Sequence, residues 1–95
     1  MINNLVMRIE FTKNALQDYN YWINNDSEVA TKIKTLLNAI SQDPFKGIGN
    51  PEPLKFELKG YWSRRITREH RLVYTITDTK GENQKCIVIQ CRFHY

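Results

Sequence analysis

The chain has 95 residues, and dividing it into two domains would leave neither half enough interior to hold itself together. Apolar residues make up 41% and charged residues 25%, which excludes a disordered polymer, and no apolar run approaches the ~20 residues of a membrane span. The opening Met1–Met7 lacks the basic start, apolar block and cleavage site of a secretion signal, so a cytoplasmic domain is expected. The net charge of +4 is one-sided. Residues 1–50 carry five basic and five acidic side chains, residues 51–95 nine and five. A basic second half attracts polyanions; a solubilising surface is the plainer reading of the same charges.

In chain order, Met7-Arg8-Ile9-Glu10-Phe11 alternates apolar and polar residues and predicts a short strand. Thr12 can cap a helix whose apolar face is Ala15, Leu16, Tyr19, Trp22 and Ile23. Asn24-Asn25-Asp26 breaks it. A second helix buries Val29, Ala30, Ile33, Leu36, Leu37 and Ile40, and Pro44 ends it. The short connection makes the two an antiparallel hairpin. Phe45 to Pro53, with Gly47, Gly49, Pro51 and Pro53, is a loop with stiff corners. Four strand-like stretches follow: Leu54–Leu58, Trp62–Thr67, Arg71–Thr77 and Lys85–Phe93.

The expected fold is therefore α+β, an N-terminal strand and helical hairpin packed on a mostly antiparallel sheet in one domain, 1–95. Strict alternation in the last strand sets Ile87, Ile89, Cys91 and Phe93 against Val88, Gln90, Arg92 and His94. The sheet face away from the helices then carries Arg65, Arg71, Arg92 and His94. Cys86 and Cys91 lie five apart, point to opposite faces and read as buried thiols rather than a disulfide. With only His70 and His94 and no close cluster of donors, no metal or cofactor is expected.

Chemistry must then come from acids, bases and cations. Glu52 stands between two prolines that fix its backbone, which pre-positions a carboxylate; a solvated acid in a turn is the plainer reading. Lys55 can steer a phosphate. His94 is the side chain best suited to give up a proton near neutrality, whereas His70, in a turn beside Glu69, reads as structural. Trp62 and Tyr61 could stack on bases or pack a core. Together, a glutamate base, arginine and lysine cations and a histidine acid match what RNA cleavage by the 2′-hydroxyl requires.

The run Pro51-Glu52-Pro53-Leu54-Lys55, then Gly60-Tyr61-Trp62-Ser63-Arg64-Arg65-Ile66-Thr67, Glu69-His70-Arg71-Leu72-Val73-Tyr74 and the ending Cys91-Arg92-Phe93-His94-Tyr95 resemble the YoeB toxins, a branch of the RelE/ParE superfamily of type II toxin–antitoxin systems. The resemblance extends to Tyr19-Asn20-Tyr21-Trp22 and Asp43-Pro44-Phe45. It implies a RelE-like, microbial RNase-like fold, a homodimer, a YefM-like antitoxin with an acidic C-terminal segment, and mRNA cleavage in the ribosomal A site. Carried onto this sequence it makes Glu52 the general base, His94 the general acid and Arg71 the cation on the phosphate. It also gives Tyr95 substrate placement, and Lys55 and Arg65 phosphate binding.

Two other functions use the same features, a gyrase-poisoning ParE-like toxin and a non-catalytic RNA-binding module. Neither needs an acid–base pair. The turn Asp78–Gln84 is long for the family. The segment before Met7 is expected to be dispensable, with Met7 able to serve as the start.

Overall fold

The computed structural model describes residues 7–79, 81 and 83–95. The elements are β1 (Arg8–Phe11), α1 (Lys13–Asn25), α2 (Ser27–Gln42), β2 (Glu52–Pro53), β3 (Trp62–Arg65), β4 (Arg71–Thr77) and β5 (Lys85–Gln90), with a 3-10 turn over Phe56–Leu58. Two helices pack on a five-stranded sheet of order β1-β5-β4-β3-β2. β1 runs parallel to β5 and the other pairings are antiparallel, so the α+β expectation holds and the sheet is mixed.

Each helix starts on a side-chain cap. Thr12 Oγ1 accepts from Ala15 N at 3.2 Å. Asp26 alone separates the helices: its N–H donates to Trp22 O at 2.7 Å and ends α1, while its Oδ1 accepts from Val29 N at 3.3 Å and starts α2. The break therefore needs one residue rather than Asn24-Asn25-Asp26. The stripe of α2 is buried as its spacing predicts, with Ile33, Leu36 and Ile40 inaccessible. In α1 the stripe is narrower than expected. Ala15 and Trp22 are buried, but Leu16 and Ile23, one step round the helix at 100° per residue, are half exposed.

Three further expectations are corrected. First, Leu54–Leu58 is not a strand. Pro53 has no N–H to continue a ladder. Leu58 N instead donates to Lys55 O and Leu54 N to Tyr61 O, closing a loop between β2 and β3. Second, β5 stops at Gln90 and alternation does not survive to Phe93. Tyr74 pairs with Val88 but Val73 pairs with Gln90, so Ile89 is an extra residue in a β-bulge. The bulge puts Val88 in the core and Gln90 on the other face. It also brings Cys91 round into the core on the same side of the sheet as Cys86, so both thiols are buried in one interior. Third, Trp62–Thr67 ends as a strand at Arg65.

The segment before Met7, and Lys80 and Glu82 of the long turn, lie outside the described residues.

Candidate active site

The core itself holds a cation. Arg64 on β3 points between sheet and helices and is completely buried. Its Nε donates to Tyr74 Oη at 3.1 Å, Nη1 to Ile48 O at 3.0 Å, and Nη2 to Asp43 O and Lys46 O at 2.7 and 3.0 Å. Tyr74 Oη in turn donates to Pro44 O at 2.7 Å, and burial pushes its pKa up. One guanidinium therefore gathers the carbonyls of the loop leading into β2. Gly49 has φ +85 there, and a Cβ would lie 2.8 Å from Leu36 Cδ2, so only glycine fits. Arg65 N closes the loop on Gly49 O at 2.6 Å. The result is a fixed approach for Glu52.

Residues directly opposite in an antiparallel pair point to the same face. Glu52 faces Ser63, Ser63 faces Val73, and Val73 faces Gln90, which makes a row across β2, β3, β4 and β5 on the side away from the helices. Arg65 faces Arg71 in the next row, about 7 Å along the strands. Tyr95 Oη and Ser63 Oγ are 3.3 Å apart, which brings the end of the chain to the cross-strand neighbour of Glu52. Tyr95 and Lys55 share a cleft with Pro53, Leu54, Phe56 and Leu58. Glu52, Arg65, Arg71, Tyr95 and Lys55 are thus gathered on or beside one face.

Arg71 is turned along this face toward the β3–β4 turn. Its Nη1 donates to Thr67 O, Arg68 O and His70 O at 2.9, 3.2 and 3.1 Å. His94 is placed less centrally than expected. Its ring stacks on Tyr95 at 4.7 Å, but it opens into a neighbouring cleft with Asn14, Gln17 and Asp18 of α1. Arg92 is a correction. Because the bulge shifts the phase of the chain, its guanidinium leaves the open face and sits 3.4 Å from the Tyr21 ring centroid. Arg64 likewise adds nothing to the surface charge. Among the described residues no group of three or more His, Cys, Asp or Glu converges.

Residues 91–93 are held from several elements at once. Cys91 N donates to Asp18 Oδ2 at 3.1 Å, and Trp22 Nε1 donates to Cys91 O at 2.8 Å. Gln90 Nε2 donates to Arg92 O at 3.0 Å. Phe93 N donates to His70 Nδ1 at 2.7 Å while Arg71 N donates to Phe93 O at 3.0 Å. Sequence reasoning did not single out Ser63, Gln90 or Asp18. Their roles depend on register and on the bulge, and the one available signal was Ser63 beside the Arg64-Arg65 pair.

The helix pair thus lies on one side of the sheet, with a glutamate, two arginines, a lysine and a tyrosine gathered on or beside the other. The family model for the YoeB-like toxin of bacterial type II toxin–antitoxin systems matches residues 11–95, and the chain belongs to that family. It is 52% identical over 89 residues to Toxin YoeB of Synechocystis sp., covering 94% of this chain and 98% of that one. The solved YoeB/ParE toxin from Agrobacterium tumefaciens superposes with a TM-score of 0.88 at 46% identity, covering 94% and 100%. YoeB of Staphylococcus aureus, solved as a dimer, superposes at 0.82 with 42% identity over 94% and 98%. A YoeB–YefM complex from S. aureus superposes at 0.82 with 41% identity over 94% and 98%.

Proposed function

We propose that this toxin is a ribosome-dependent mRNA endonuclease that arrests translation by cleaving in the A site. The observation that carries the reading is the Glu52–Ser63 pair, with Tyr95 Oη on Ser63 Oγ, lying beside the Arg65–Arg71 pair. Glu52 takes the proton of a 2′-hydroxyl, and that oxygen attacks the adjacent phosphorus. The bond to the 5′-oxygen breaks, and His94 gives a proton to the departing oxygen, leaving a 2′,3′-cyclic phosphate and a 5′-hydroxyl. Arg71 stabilises the charge on the five-coordinate phosphorus, Lys55 and Arg65 hold the flanking phosphates, and Tyr95 places the substrate. For its role His94 turns from the α1 side toward the row, a rotation open to an exposed side chain at the end of the chain.

An acidic antitoxin segment of YefM type suits the basic open face, and a homodimer like that of the S. aureus relative is the expected assembly. Mapping RNA 3′-ends after expression tests the function. Cyclic or 3′-phosphate ends inside ribosome-bound codons are expected. Growth arrest with intact mRNA and stalled gyrase would overturn the nuclease in favour of a gyrase poison.

A further inference from the structure

Phe93 has φ +68, a left-handed conformation that a bulky side chain disfavours. It is not buried, so packing does not impose that geometry. Two hydrogen bonds do. Its carbonyl is taken by the Arg71 backbone N–H at 3.0 Å and its N–H by His70 Nδ1 at 2.7 Å. The His70 ring is itself fixed, 4.8 Å from Trp22 and edge-on to it at 79°. Its own carbonyl accepts from Ile66 N and Thr67 N across the β3–β4 turn. The ring therefore belongs to the rigid turn, and the chain it holds is the last turn before His94 and Tyr95.

We propose that His70 is a positioning residue. By accepting the Phe93 N–H it keeps that residue left-handed and so sets the course of the two residues that follow, bringing Tyr95 to Ser63 with His94 packed against the Tyr95 ring. It touches no reacting group; it sets where the reacting groups stand. The role needs an acceptor at Nδ1, with the ring proton on Nε2, and does not need imidazole as such. The proposal rests on the nuclease reading for its effect on cleavage but not for its effect on the chain.

The test compares the parent with His70→Phe, which keeps a ring against Trp22 but has no acceptor, and with His70→Asn, whose Oδ1 overlays Nδ1. Amide exchange at Phe93 is followed by NMR, and single-turnover cleavage of mRNA is followed on programmed ribosomes. In His70→Phe, exchange at Phe93 should rise about tenfold, the share of one hydrogen bond. The maximal cleavage rate should fall about tenfold or more, while the ribosome concentration at half-maximal rate stays unchanged. His70→Asn should restore both. Parent-like exchange in His70→Phe, or failure of His70→Asn to restore protection, would overturn the proposal. So would a loss confined to ribosome binding. If His70→Phe does not fold, His70→Gln replaces it, since its acceptor falls where Nε2 was; parent-like protection there is equally fatal. If the parent itself cleaves nothing, the nuclease reading fails and the exchange measurements still decide the role of His70.

Discussion

The two segments that carry Glu52 and His94 are held in opposite ways. The loop carrying Glu52 is gathered chiefly by one side chain, since Arg64 reaches the carbonyls of Asp43, Lys46 and Ile48 from inside the core and also binds Tyr74 Oη, which holds Pro44 O. The stretch leading to His94 and Tyr95 is held by five separate groups, from Asp18, Trp22, His70, Arg71 and Gln90, none of them buried charges. The loop concentrates its stability in a single buried cation, so one substitution can release it. The tail distributes its stability, so single losses should reach activity before they reach folding.

Replacing Arg64 breaks the comparison most severely. Arg64→Met takes the donor from four acceptors, one buried and three part-buried, each worth about 1–3 kcal/mol when left unpaired, with much recovered by water at the loop carbonyls. A net loss of about 3 kcal/mol lowers Tm by at least about 12 °C in a domain of this size, and calorimetry should find it. Next, Glu52→Gln should cut single-turnover cleavage by about 10²–10⁴ with the melting temperature unchanged, because Glu52 is exposed. A parent-like rate would remove Glu52 as base. On the tail, Trp22→Phe loses the bond to Cys91 O but keeps most of the packing. About 1 kcal/mol and a Tm drop of 4–8 °C are expected. A drop as large as that of Arg64→Met would show that the tail too hangs on one anchor.

A pH-dependent effect probes the interior that lies beneath β5 and the start of the tail. Burial pushes the Cys86 and Cys91 thiols up to about 12. Both should resist alkylation at pH 8 until the protein unfolds. Because the unfolded thiols ionise near their ordinary 9.0 and the folded ones only near 12, their stabilising effect is complete below about pH 9 and is lost as pH rises toward 12. A melting temperature that stays flat across that window would show water reaching these two thiols.

Much of this frame was legible in residue order. Spacings of three and four marked both helices, and the cap residues Thr12 and Asp26 stood where their side chains could work. The prolines round Glu52 signalled a stiff segment, and the family resemblance ran almost the whole chain. Other features had no local signature. Arg64 and Arg65 are the same residue type in adjacent positions, and only sheet register decides that one is buried and the other exposed. The bulge at Ile89 is a property of two paired strands, so an alternation read from one strand carried Arg92 to the wrong face. For the same reason the anchors of the tail stayed hidden: Asp18 and His70 look like a surface acid and a turn histidine until the chain end is laid across them.

The parallel pairing of β1 with β5 has a consequence for assembly in the cell. β5 lies between β1 and β4, so the earliest strand and one of the latest are neighbours, and neither half of the sheet is joined until β5 exists. A nascent chain makes α1 and α2 first and has no complete surface for them to cover. Closure between distant segments is also intrinsically slow, on the order of milliseconds to seconds. A partly synthesised copy holds Glu52 and Arg71 but lacks the strand that joins them to Tyr95. The open face that carries Glu52, Arg71 and Tyr95 is thus completed only after synthesis has passed β5.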